Sequence, residues 1–160
     1  TVTEKGYCLD GAGGLDFDHP DIRHDLSRPG EPRSLIGWLV LGFALRRARG
    51  LAPCLTICCD NLSDNGSRLR NAVLAFAARR DPALAGWIEA QARFPRTMVD
   101  SITPATDAAL RERVEQWLGM RDAWPVQRER FVQWVLEETD CAGQPDWASV
   151  GVTLSRDVAT

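Results

Sequence analysis

The chain has 160 residues, enough for one domain with its own core, and its 44% hydrophobic and 26% charged residues match an ordinary globular protein. A formal charge of -3, with Lys5 the only lysine among many arginines, argues against a nucleic-acid surface. The longest apolar run, about Leu35 to Leu45, falls short of the ~20 residues needed to cross a bilayer, so no membrane association is expected.

The opening Thr1-Val2-Thr3 reads as the middle of a strand that breaks at Gly6, as in a piece cut from a larger protein. Residues 8–32 are rich in Gly, Asp, Pro and Arg and read as a long surface excursion. Its acids could hold calcium, but no fixed ligand spacing supports that, and a solvated face is the simpler reading.

Ser34 is a candidate N-cap for a helix carrying Leu35, Ile36, Trp38, Leu39, Leu41, Phe43 and Leu45, apolar nearly all round and so expected to be buried. Gly50 ends it. Cys54 to Cys59 is a continuous apolar run after Pro53, the pattern of a central strand covered on both faces. Asp60 to Gly66 is a turn.

Leu69, Val73, Phe76 and Ala77 then mark the inner face of a helix, with Arg68, Arg70 and Arg79 outward. Asp81-Pro82 restarts a helix as cap and first residue, and Phe94-Pro95 closes it. A further helix runs from about Asp107, with Leu110, Val114, Trp117 and Leu118 on one face and Gly119 as its stop. Strands are expected at Phe131–Leu136 and Val150–Leu154. The sum is an α/β architecture with added strands near the C-terminus.

Five cysteines, three of them within or beside the central apolar run, suggest reduced thiols in a reducing, cytoplasmic setting. Zinc is the competing idea, with His19 and His24 available. Consecutive Cys58 and Cys59 point to opposite faces of a strand, however, and cannot converge on one ion. No metal is expected.

Polar residues just past a buried strand stand where open α/β sheets bind ligands, which singles out Asp60 and Asn61. Asp60-Asn61 and Asn65-Gly66 are equally common turn chemistry, and spacing alone leaves both readings open. Glu4 at the end of the first strand and Asp100 in an apolar setting are the other candidate acids.

Four segments in this order carry a resemblance: Thr1-Val2-Thr3-Glu4-Lys5-Gly6-Tyr7-Cys8; Cys59-Asp60-Asn61-Leu62 through Asn65-Gly66; Phe94-Pro95 through Met98-Val99-Asp100, Ile102 and Pro104; and Phe131 through Gln133-Trp134-Val135-Leu136-Glu137, extended by Gly143, Pro145 and Trp147. Together they resemble the polyol-specific long-chain dehydrogenases, the mannitol dehydrogenase family that includes fructuronate (mannonate) reductases. The resemblance covers nearly the whole chain. It implies the second half of an extended Rossmann-type domain, with residues 1–160 a partial dinucleotide-binding domain. It also implies NAD as cofactor, and a small sugar alcohol or hexuronate as the partner whose secondary alcohol and ketone are interconverted by hydride transfer.

By that resemblance Asn61 donates hydrogen bonds to the alkoxide-like oxygen, and Asp100 is an acid of the substrate pocket that orients groups or tunes the base. Thr3, Glu4 and Asp60 border the cofactor. Cys58 stands for the family's usual serine, Ser101 for an arginine, and Asp140 for an aromatic, and the Ser101 change bears on substrate class. The family's glycine-rich turn and its lysine motif are expected outside these residues, so the isolated chain is expected not to turn over. A non-catalytic remnant or ligand-binding module with the same fold is the alternative.

Overall fold

The structure, a computed structural model, describes residues 4–158, and for Glu4 the backbone alone. Five helices and a small sheet follow one another: α1 Pro20–Ser27, α2 Leu35–Ala48, α3 Asn65–Arg80, α4 Pro82–Gln91, β1 Thr97–Asp100, α5 Ala108–Leu118, β2 Gln133–Glu137 and β3 Thr153–Ser155. A short 3-10 helix over Glu4–Tyr7 precedes them. The expected first strand is therefore helical from Glu4 onward, and its Thr1-Val2-Thr3 lies outside the described residues.

Helices α1, α2, α4 and α5 open on a side-chain cap, whereas α3, after Asp64 at φ +56°, does not. Ser34 Oγ accepts the Gly37 amide at 2.9 Å to open α2, and Asp81 accepts the amides of Ala83 and Leu84 at α4. Behind Ser34 stands fully buried Asp25, which the sequence had left in a solvated loop. Its carboxylate accepts the Arg33 and Ser34 amides and the Ser34 hydroxyl, and its pair with His24 closes the set. Part of the expected excursion is thus α1, whose role is to deliver this acid to the start of α2.

The main core is built from Ile36, Val40 and Phe43 of α2, Leu69, Val73, Phe76 and Ala77 of α3, and Leu84 and Ile88 of α4, with Tyr7, Cys58 and Phe94. Three- and four-residue spacing puts each set on one helix face. Burial of α2 is one-sided: Trp38 and Leu45 on its other face are 58% and 46% exposed, against the all-round burial expected.

Residues 51–59 carry no regular secondary structure and join no ladder among the described residues. Among the described residues their backbone bonds to other segments are Leu51 N–H to the Arg46 carbonyl, at 2.9 Å, and Thr56 N–H to the Arg93 carbonyl, at 3.1 Å. An apolar run becomes a central strand only when neighbours flank it. Here Cys58 is buried while Cys54 is exposed.

The sheet lies further along the chain. β2 pairs antiparallel with β1 (Thr97 opposite Leu136) and parallel with β3 (Val135 beside Thr153). β1 was not foreseen, since four residues closed by Asp100 offer little period. α5 ends at Gly119 as expected, with φ +66°, but only Leu110 of its apolar face is buried, and Trp117 is 74% exposed.

Candidate functional site

The turn that follows residues 51–59 is fixed from several sides by buried polar groups. Asp60, 7% exposed, uses both carboxylate oxygens: Oδ1 accepts the Leu62 amide at 3.0 Å, and Oδ2 accepts the hydroxyl of fully buried Tyr7. The first of these closes an Asx turn around Asn61, which leaves the Asn61 side chain exposed at its apex.

Asn65, wholly buried at the start of α3, ties the far side of the turn to β1. Its Nδ2 donates to the Asp60 carbonyl at 3.2 Å and to the Thr97 carbonyl at 3.1 Å. Its Oδ1 accepts the Thr97 amide at 3.0 Å and the Gly66 amide at 2.8 Å. Thr97 Oγ1 then donates to the Cys58 carbonyl at 2.7 Å. Three segments far apart in sequence are thereby stitched together without ladder pairing.

Burial, reinforced by the hydrogen bond to Asp60, pushes the Tyr7 phenol well above its ordinary range, so it remains a donor at any working pH. Burial likewise pushes the Cys58 thiol up to about 11, with the charges of Asp60 and Cys59 adding and the Tyr7 hydrogen bond opposing. Cys58 is consequently a protonated core side chain and not a nucleophile. Among the described residues no three His, Cys, Asp or Glu side chains gather as a metal site, and no helix is long and apolar enough to cross a membrane.

The other predicted residues fall as follows. Thr3 lies outside the described residues. Glu4 begins the 3-10 helix that ends at Tyr7, so the element bearing Glu4 is the one bonded to the Asp60 turn. Asp100 is exposed at the end of β1, not embedded among apolar side chains. Thr97, which is bound to the turn, sits three residues back, ~10 Å along a strand. The structure therefore joins Glu4's element, Asp60 and Asn61 closely, and connects Asp100 to them only through β1. Beside Asp100, the buried Ser101 hydroxyl has no hydrogen-bond partner.

Sequence reasoning missed Tyr7, Asn65 and Thr97. Tyr7 and Asp60 are 53 residues apart, and no local spacing announces such a pair. Asn65-Gly66 did carry a signal, an amide and a glycine at a helix start, but it matched ordinary turn chemistry.

Residues 1–149 match the family described as the mannitol dehydrogenase Rossmann domain. Among curated relatives, the chain is 49% identical over 160 residues to the uncharacterized oxidoreductase YeiQ of Escherichia coli K12, and 45% identical over 159 residues to D-mannonate oxidoreductase of the same organism. Each match covers 99% of this chain and 33% of the relative. Among solved structures, Pseudomonas fluorescens mannitol 2-dehydrogenase, in ternary complex with NAD and D-mannitol, superposes with a TM-score of 0.90 at 44% identity. It covers 99% of this chain and 32% of that one. The chain thus spans about a third of the length of the proteins it matches.

Proposed function

The chain belongs to the mannitol dehydrogenase family, and from that premise we propose that the full-length protein is an NAD-dependent oxidoreductase. It interconverts a secondary alcohol of a polyol or sugar acid, of the mannitol/fructose or mannonate/fructuronate type, with the corresponding ketone. The observation that carries the reading is the exposed amide of Asn61 at the apex of a turn whose flanking groups are buried and bonded.

A primary amide suits the role because it donates hydrogen bonds without titrating. Held on a rigid turn, Asn61 donates to the substrate oxygen as that oxygen gains negative charge, at no cost in reorganisation. NAD, when bound, supplies the hydride acceptor. The donor chemistry fits such a group: the turn presents an exposed, non-titrating amide directly after a buried apolar residue, Cys58, and the buried Asp60. Thr3, Glu4 and Asp60 border the cofactor. Asp60 does so through the backbone it fixes, since both its carboxylate oxygens already hold protein donors. Asp100 orients substrate groups or tunes the base from the end of β1.

The test uses the full-length protein. Asn61→Ala should slow single-turnover hydride transfer by about two orders of magnitude, as loss of one oxyanion donor does. An unchanged rate would remove Asn61 from the chemistry. NADH consumption measured against fructose, fructuronate and tagaturonate distinguishes the polyol from the hexuronate arm.

A further inference from the structure

Asn61 owes its position to its neighbour. The Asx turn that Asp60 closes onto Leu62 has Asn61 as its central residue, so the Asp60 carboxylate orientation sets where the Asn61 backbone lies. A carboxylate held by a single amide can still rotate. Here its second oxygen is pinned by Tyr7, whose ring is 1% exposed and packed in the main core. Tyr7 also ends the short helix that begins at Glu4. One phenol thus joins two elements that the sequence resemblance assigns to the same site.

We infer that Tyr7 is a positioning residue for Asn61: by donating to Asp60, its hydroxyl locks the turn bearing Asn61 to the helix bearing Glu4. The inference rests on the role proposed above for Asn61. Tyr7 itself is buried in the core, with its hydroxyl given to Asp60. Its contribution is to narrow the range of positions from which the Asn61 amide donates. Because a buried amide pair at Asn65 independently fixes the other side of the turn, removing the hydroxyl should loosen the apex without unfolding the domain.

A double-mutant cycle in the full-length protein tests this, read as single-turnover hydride transfer at saturating NAD and substrate, with thermal melting to confirm folding. Tyr7→Phe keeps the ring and removes only the hydroxyl. In the presence of Asn61 it should slow transfer about tenfold, and in an Asn61→Ala background it should add almost nothing, the coupling expected of two groups acting as one unit. Substrate affinity should change far less than the rate.

If Asn61→Ala is slow but Tyr7→Phe either leaves the rate unchanged or slows both backgrounds equally, Tyr7 does not act through Asn61 and the inference is overturned, while the role of Asn61 stands. If Asn61→Ala transfers hydride at the wild-type rate, both fall. Should Tyr7→Phe fail to fold, Asp60→Asn replaces it in the same cycle. It keeps an acceptor for the Leu62 amide and alters the atom facing Tyr7. The same non-additivity is expected, and an additive result overturns the inference.

Discussion

A Cβ at position 66 would lie 2.4 Å from the carbonyl oxygen of Phe94, so Gly66 and the chain entering β1 touch backbone to backbone. The adjacent Pro95 carbonyl, 2.6 Å from the same imagined atom, closes the remaining room. Neither oxygen belongs to a side chain that could swing aside. Gly66→Ala must therefore push α3 away from residues 94–95, and overpacking of this kind costs about 1–3 kcal/mol. Urea denaturation should show the unfolding free energy falling by that amount, with a lower midpoint. An unchanged midpoint would mean that the two segments separate freely.

Two asparagines four residues apart should behave in opposite ways. Asn65→Ala strips partners from buried amides and carbonyls of Asp60, Gly66 and Thr97, and should cost about 3 kcal/mol or more, since each buried group left unsatisfied costs about 1–3 kcal/mol. Asn61→Ala, at an exposed apex, should leave stability within about 0.5 kcal/mol while impairing transfer. Melting curves of the two variants, measured side by side, check the contrast.

Acid should act through Asp25 and Glu137. Burial alone would raise the Asp25 carboxyl, but hydrogen bonds from Ser34, His24 and the Arg33 and Ser34 amides outweigh it and hold it below its ordinary 3.8. Glu137 is likewise lowered from 4.5: burial opposes, but the Arg96 side chain and amide prevail. A carboxylate with a lowered folded pKa stabilises the fold above its ordinary value and loses that contribution as pH falls through the folded one. Stability should hold above about pH 5 and fall below about pH 4. Arg96→Ala should flatten part of that fall and cost about 1–2 kcal/mol at neutral pH, because charge-assisted bonds to a half-buried carboxylate are lost. A pH series of urea midpoints for both proteins reads each effect.

The thiols should react in order of exposure. Cys54 is exposed, whereas Cys8 and Cys58 are buried, and burial raises the pKa of both. At pH 8 a neutral alkylating reagent should label Cys54 within minutes and leave Cys8 and Cys58 intact until denaturant is added. Peptide mapping by mass would show it. Rapid labelling of Cys58 in the native protein would contradict the packing around Tyr7.

How far the sequence foretold this structure depends on the range over which each signal acts. The caps at Ser34 and Asp81, the inner face of α3 and the stop at Gly119 are written within a few residues of where they act, and all were legible. The burial of Asp25 was not, because its partners at Arg33 and Ser34 belong to a different element. The apolar run 54–59 was read as a central strand because hydrophobicity reports the tendency to be covered, while strand pairing needs specific neighbours. At the candidate site, the polar turn at Asp60 and Asn61 was visible, and its meaning came from the resemblance. What holds the turn came only from the fold, since Tyr7 reaches Asp60 across 53 residues and Thr97 reaches Asn65 across 32.

The apolar stretch from Leu51 to Cys59 has a practical consequence for anyone handling these 160 residues alone. Among the described residues this apolar, uncharged row joins no ladder, and such a row is a template for strand addition by any similar chain. Solubility of the isolated polypeptide should therefore be governed less by its overall charge than by whether this one stretch finds a neighbour, and it should precipitate in a concentration-dependent way that dilution reverses only slowly.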